Sequence, residues 1–580
     1  MRYNTVDYAP KMANKYTNRT MRGIDYMSAS DKKKLRKAEK LAAMTEKQLK
    51  EKTEAKKLKI TTIVFVAILA VMVLVAAVVM SINIVNNTGI IDKSTIAATT
   101  GEHKINSVQM NYYYKDVVNN TVSNWKSSYG DSFSLYTQLM GLDVTKPLDE
   151  QTYDSENNKT WADYFLDSAL EKAKVDYAFY DLAMADNFEL SEEQQSELDY
   201  NKQMMTLYAQ LYGYTSVNDY LKAMYGYGCD LESYQEYTRI ATIASAYYNQ
   251  HEANLEFTDT DIREYEEGKE LNYSFFDFAV YYVNAVSYRE GGTKGEDGNT
   301  TYTDAEIAAS IVKAKEIAEE LGKSENLVEL DKAIKALEIN AEKEDAASNQ
   351  MLDTQYTKIS EVYRDWLADE DRKENDITVV EHKTTNTDAN NNKIETINGY
   401  YVLVYLGRDD SMRHLADVRH LLVAFEGGTK DEDGNTVYSD EEKAKAKEEA
   451  EKLLQTWKDG DANVDSFIAL VKEHSDDEGS AKNGGLYEDI HKASNYVENF
   501  RNWAIDDTRK EGDTGVVESP YGYHIMFYVG DDEMTYRDYL IKQDLINEAM
   551  DNWYNGIVEA SSITRGDLSR IETSLVLGSN

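Results

Sequence analysis

Asp417-Val-Arg-His-Leu-Leu-Val423 is an apolar run with one imidazole, His420, at its centre. Tyr521-Gly-Tyr-His-Ile-Met-Phe-Tyr528 is a second such run and carries His524. Their length and their β-branched and aromatic content predict two strands. Between them, Ser475-Asp-Asp-Glu-Gly-Ser-Ala-Lys-Asn-Gly-Gly485 reads as an acidic loop closed by Gly484 and Gly485, which permit a tight turn. Neighbouring strands would bring the two imidazoles into a hydrogen-bonded pair, with Asp477 placed to fix a tautomer. Leu422, Tyr496, Phe500 and Tyr521 supply apolar walls around them.

The same frame occurs earlier in the chain. Glu290-Gly-Gly-Thr-Lys294 and the Asp-Gly-Asn stretch after it recur at Glu426-Gly-Gly-Thr-Lys430, a shift of 136 residues. Arg364-Asp-Trp366 matches Arg501-Asn-Trp503, and Gly399-Tyr-Tyr401 matches Gly522-Tyr-His524. Three matches in one order imply a duplicated unit. At these offsets Asn284 stands where the second copy has His420, and Tyr401 where it has His524. The first copy also lacks the Gly-Gly loop, so it keeps the frame without the polar set.

Residues 104 to 270 read as helix. Trp161, Tyr164, Phe165 and Ala169 share a face, and Ser191-Glu-Glu-Gln194 is a capping box. Met204, Met205, Tyr208, Leu211 and Tyr212 follow at helical spacing. Such stripes serve as plain core, or as an adaptable surface for unfolded segments. Beyond the last strand, Leu540, Ile541, Leu545, Ala549 and Trp553 form an apolar stripe. It is expected to return and pack on the helical domain.

Ile63 to Met80 is eighteen residues without a polar group, enough with its flanks to cross a bilayer. Residues 1–59 hold 17 Lys/Arg against 7 Asp/Glu, whereas the whole chain has a net charge of −41. Lys56, Lys57 and Lys59 abut the apolar run, so the N-terminus is expected in the cytoplasm and residues 85–580 outside. The strong negative charge of the outer part argues against nucleic acid as a partner. The single cysteine, Cys229, excludes internal disulfides and multi-cysteine metal sites, and it reads as a buried structural residue. Asp431, Asp433, Asn435 and Glu442 have partial calcium-loop spacing, but the sixth position is Thr436 where such loops need glycine. An Asp-Gly hairpin is the better reading, and no metal or cofactor is expected.

A strand histidine, an acidic loop with Gly-Gly and a late Gly-Tyr-His strand together resemble the parvulin-type peptidyl-prolyl isomerases over about 415–531. The resemblance implies a small antiparallel sheet wrapped by helices. It places the family's two active-site histidines on His420 and His524 and its Cys-or-Asp position on Asp477. The proline pocket falls on Tyr496 and Phe500, with Leu422 and Tyr521 beside it. Tyr496 departs from the usual methionine, and Gly484-Gly-Leu-Tyr-Glu488 departs from the usual Gly-Gly-Asp-Leu-Gly. Anchor, helical domain and modules together resemble the extracytoplasmic foldases of the PrsA and SurA type.

The expected architecture is α+β. It comprises a basic cytoplasmic segment (1–59), a single transmembrane helix (60–84), a linker (85–103) and a helical chaperone-like domain (104–272). A degenerate parvulin-like module (273–411), an isomerase module (412–533) and a returning helix (534–580) follow. The expected function is a plasma-membrane isomerase and foldase acting on unfolded or partly folded secreted chains with X-Pro bonds. The alternative is a non-catalytic holdase. The partners expected are those chains and the lipid bilayer.

Overall fold

The computed structural model describes residues 28–42, 46–295, 298–387, 391, 393–431 and 434–577. The basic residues before Ser28 and Asp433 of the calcium-like stretch lie outside them. The chain is mixed α and β. It divides into two compact units: Met1–His251 with Asn555–Asn580, and Glu252–Tyr554.

The first unit begins with helices α1 (Ala29–Ala42), α2 (Glu46–Thr88) and α3 (Ile90–Ser94). Helix α2 is the one helix among the described residues long and apolar enough to cross a membrane. Strands β1 (Ile96–Thr100) and β2 (His103–Asn106) follow, and β1 also pairs with a strand at Ile563–Arg565. Helices α4 (Ser107–Tyr129), α5 (Phe133–Leu139) and α6 (Trp161–Ala185) come next, with a short hairpin of β3 (Thr152–Asp154) and β4 (Lys159–Thr160) before α6. The unit's helices close with α7 (Glu192–Leu211), α8 (Val217–Tyr225) and α9 (Leu231–Ala253).

The helix starts are fixed by side chains that satisfy the free amides of the first turn. Asn106 with Gln109, Thr160 with Asp163 and Ser191 with Gln194 form reciprocal caps. Trp161, Phe165 and Ala169 are fully buried against Tyr112, Tyr113 and Tyr114 of α4. Cys229 belongs to the same core. Burial pushes its thiol up to about 12, although the Tyr112 hydroxyl pulls the other way. The α7 stripe is only half used: Met205 and Tyr208 pack inward, but Leu211 and Tyr212 are exposed.

The second unit opens with α10 (Asp259–Glu266) and holds two four-stranded antiparallel sheets. The first contains β5 (Phe275–Asn284), β8 (Asn349–Gln355), β9 (Ile377–Thr387) and β10 (Lys393–Asp409) in the order β8-β5-β10-β9. The second contains β11 (His414–Ala424), β14 (Leu486–Ile490), β15 (Thr514–Glu518) and β16 (Gly522–Thr535) in the order β14-β11-β16-β15. Each sheet carries a small hairpin after its first strand: β6 (Thr293–Lys294) with β7 (Thr300–Thr301), and β12 (Thr429–Lys430) with β13 (Thr436–Val437). Helices α11 (Asp304–Leu321), α12 (Leu327–Lys335) and α13 (Arg364–Leu367) cover the first sheet. The second is covered by α14 (Asp440–Asp459), α15 (Val464–His474) and α17 (Glu498–Ala504), with α16 (Glu478–Ala481) in the loop between.

Helix α18 (Tyr536–Ala560) packs its stripe on α10, within the 104–272 stretch expected to receive it. Leu540, Ile541 and Leu545 meet Ile262, Tyr265 and Tyr273, residues next to the first sheet. The division between the two units falls at 251/252 and 554/555. The chain from Asn555, in the last turns of α18, onward joins the first unit.

Candidate active site

Side chains alternate across a strand, so one face of β11 and β16 is set by residues two apart. Leu421, Tyr523, Ile525 and Phe527 face α14 and α15. The opposite face carries Val418, Met526 and Tyr528 with Phe500 of α17. His420 and His524 lie on that second face, both buried, with Nδ1 atoms 3.0 Å apart.

The 475–485 loop extends the edge of the sheet where β14 ends. Leu422 N–H donates to Ser475 Oγ at 3.1 Å, Asp476 N–H to Leu422 O at 2.9 Å and His420 N–H to Gly485 O at 2.9 Å. Gly485 has φ +70°, and a Cβ there would fall 2.1 Å from His420 O. The glycine is what lets the loop lie against the strand. It brings Asp477 Oδ2 to 3.0 Å from His420 Nε2.

A direction for the protons follows from these contacts. Asp477 is an acceptor when ionised, so His420 Nε2–H donates to it and His420 Nδ1 accepts. His524 Nδ1–H then donates to His420, and His524 Nε2 accepts from Ser519 Oγ at 2.8 Å. Ser480 and Tyr487 hydroxyls also donate to Asp477 Oδ2, Tyr487 at 3.3 Å. Burial pushes Asp477 up, but the Ser480 hydroxyl and the His420 ring outweigh it and hold the carboxyl below its ordinary value. Burial lowers His420 against the pull of Asp477. Burial first, and then His420, push His524 down to about 4. Both imidazoles are therefore neutral at pH 7.

Above the pair opens a cleft of about 350 Å³, lined by Leu422, Tyr496, Phe500 and Tyr521 together with Tyr487 and Val497. All four wall residues expected from the sequence are in it. Phe500 sets its ring edge-on to both imidazoles, 5.3 Å from each. Tyr521 stands at the rim, 65% exposed. The volume is at the low end for small-ligand sites, which suits a small ring on a chain. A larger hollow of about 840 Å³ lies along α11 and α12, rimmed by Glu316, Glu320, Glu325 and Glu329, with no comparable convergent set. Among the described residues no group of three or more metal-ligating side chains converges.

Ser480, Ser519 and Tyr487 escaped the sequence reading. Ser480 follows Asp477 by three, the spacing of a helix-start contact, and that was the available signal. Ser519 and Tyr487 reach the site only through the strand pairing.

The place of His420 in the first sheet needs a correction. Gly399 pairs with Asn284 as Gly522 pairs with Ala424, so the register puts Val280, not Asn284, in the place of His420. The 3-10 turn Ala285–Tyr288 lies between β5 and its hairpin, and Asn284 caps it. The second sheet has no such turn there, and a constant offset of 136 hides this insertion. Tyr401 does take the place of His524. Around it stand Tyr282, Tyr363 and His382, with His382 Nδ1 2.9 Å from the Tyr282 hydroxyl.

The profile of the rotamase family, the PPIC-type PPIASE domain, matches residues 420–529. No curated protein matches the chain. Among solved structures, peptidylprolyl isomerase PrsA from Bacillus anthracis is similar at 21% identity, over 26% of this chain and 59% of that one, with a TM-score of 0.17. PrsA from Bacillus subtilis is similar at 25% identity, over 26% and 47%, with a TM-score of 0.16. The PPIase domain of TBPAR42 is similar at 23% identity, over 20% and 98%, with a TM-score of 0.15. The match thus spans about half of each PrsA chain. With an imidazole at its first residue and the second near its end, the segment 420–529 is a rotamase domain of the PPIC type.

Proposed function

We propose that this chain is a membrane-anchored peptidyl-prolyl cis-trans isomerase and foldase that acts on secreted polypeptides outside the cytoplasm. The observation that carries the reading is the neutral His420–His524 pair, held by Asp477 and Ser519, at the floor of an apolar cleft.

An X-Pro bond rotates slowly because amide resonance must be broken, over a barrier of ~18–20 kcal/mol. The planar amide is the more charge-separated state, since resonance puts negative charge on oxygen and positive charge on nitrogen. Water stabilises that charge separation. A cleft walled by Leu422, Tyr496 and Phe500 removes water and so raises the planar state towards the twisted one. The imidazoles add fixed dipoles without net charge, and Asp477, Ser480 and Ser519 keep those dipoles from turning. No nucleophile or metal is required.

The anchor rests on α2, with the basic side inward and the globular units outside. In this reading the two sheets are tandem parvulin-like modules. The first is silent because Val280 and Tyr401 replace the imidazoles. The helical domain is split in sequence, because its last strand comes from Ile563–Arg565. Its clients are unfolded or partly folded chains with X-Pro bonds.

The test is a protease-coupled assay with a proline peptide and the full chain. Isomerisation faster than in buffer, and slowed roughly 10- to 100-fold in the His420→Ala/His524→Ala variant, supports the enzyme. A rate equal to buffer favours the alternative, a non-catalytic holdase. That reading has its own support in the exposed Tyr200, Leu207, Leu211 and Tyr212 along α7 and its end.

A further inference from the structure

Helix α2 does not end in a free linker. Gly89, just past it, has φ +64°, and a Cβ there would fall 2.1 Å from the Cα of Gly228. The two backbones touch. Around this contact Lys222 Nζ donates to Asn87 Oδ1 at 2.6 Å, and Lys93 pairs with Asp230 at 2.6 Å. Arg570 clasps the buried Asp92 through Nε at 2.9 Å and Nη2 at 3.0 Å, and reaches Asn86 at 3.3 Å. Four side-chain links thus fasten the outer end of α2 and the short α3 after it to the α8–α9 corner and to the segment after α18. They tie together parts of one unit.

Apolar side chains cluster on the outside of the same junction. Ile84 and Val85 of α2, Ile90 and Ile91 of α3, Met224 of α8 and Tyr227 are all exposed. Single exposed apolar residues are ordinary. Ile84 and Val85 continue the apolar span along α2, and the Gly89–Gly228 contact brings the Met224–Tyr227 segment beside it. About 17–25 residues cross the hydrocarbon core, and the mostly apolar run that begins at Ile63 continues to Val85. Gly89 lies four residues further, about 6 Å of helix. The head-group layer is roughly 5–7 Å thick on each side. The junction therefore stands at its outer margin. The local charge also fits. Lys93, Arg570 and Lys222 are each faced by a carboxylate, Asp230, Asp92 and Asp219, whereas the chain as a whole is strongly acidic.

We infer that the patch of Ile90, Ile91, Met224 and Tyr227 sits in the lipid head-group layer, so that the first unit is docked on the bilayer surface at a fixed angle. This rests on the reading of α2 as a membrane anchor. Tyrosine and isoleucine beside a lysine suit that layer, where ring and chain bury their apolar parts and leave the polar ends wet.

The test uses the full chain in vesicles of phosphatidylcholine and phosphatidylglycerol. Spin labels are placed one at a time through Ile90→Cys, Met224→Cys and Tyr227→Cys, with Lys445→Cys as the water reference. Cys229 is buried with a raised thiol pKa and stays unlabelled, so the wild-type chain is the blank. All four positions are exposed, so the substitutions leave the core alone. Collision with oxygen relative to a nickel chelate should rise several-fold at 90, 224 and 227 over the reference. Equal ratios at all four positions overturn the inference while the anchor stands. Low collision with both agents at 224 and 227 reports a protein neighbour and also overturns it. Release of the wild-type chain by alkaline carbonate overturns the anchor, and the inference with it.

Discussion

His420 and His524 are not partners in the strand register, yet their Nδ1 atoms lie 3.0 Å apart. β16 sets Leu422 opposite His524 and Met526 opposite His420. The imidazoles meet on the diagonal, two residues apart on one face, which rings can bridge.

Each ring is the other's partner in a buried place, so removing one strands a nitrogen of the other. Such a loss amounts to about 1–3 kcal/mol. His420→Ala and His524→Ala are each expected to lower kcat/KM on a proline peptide by roughly 10- to 100-fold. The double variant should be little worse than either single one. Additive losses would show that the rings act separately.

The neutral pair sets a pH dependence. His524 is pushed from the ordinary 6.5 down to about 4 in the folded chain. A depressed folded value means stability that is complete above pH 6.5 and lost as pH falls through about 4. The loss is about 3 kcal/mol for that ring. Isomerase activity is expected to fall as His524 takes up its proton near 4, well below the ordinary 6.5. A decline centred near 6.5 would mean the ring is solvated.

Ser519 is the last donor in the proton chain. Ser519→Ala leaves His524 Nε2 buried without a donor and should lower urea-unfolding stability by about 1–3 kcal/mol. Ser519→Thr, which keeps the hydroxyl, should recover most of it. Equal stability of alanine and threonine variants would remove the serine from the network.

Gly485→Ala meets two obstacles, a positive φ and the His420 carbonyl. The loop must lift from β11 and carry Asp477 with it. The variant is expected to lose about 1–3 kcal/mol of stability through backbone strain. The His420 ring resonances should shift as Asp477 withdraws. An unchanged His420 spectrum would show that the loop holds its place without glycine.

The strands and both imidazoles were legible because alternation and the Gly-Gly loop are local signals. Leu422, Tyr496, Phe500 and Tyr521 were legible as candidate apolar walls, but only the resemblance assigned Tyr496 and Phe500 to a proline pocket, since the four are scattered over a hundred residues. Ser519 and Tyr487 were not legible, because their role comes from strand pairing. Asn284 was misplaced because four inserted residues between β5 and its hairpin leave the flanking motif intact. For α18 the sequence marked the buried face but not the residues that cover it. A stripe shows that a face is buried, but not against what.

The strand Ile563–Arg565 closes against β1 in the register Ala98↔Arg565 and Thr100↔Ile563. More than 460 residues separate the two partners. A chain emerging from its front end offers β1 early and waits for its neighbour until nearly everything else has arrived. Residues 252–554 hold both larger sheets within one stretch and wait for nothing. The isomerase domain can therefore mature first, while the helical part stays open, one strand edge bare, until the tail zips it shut.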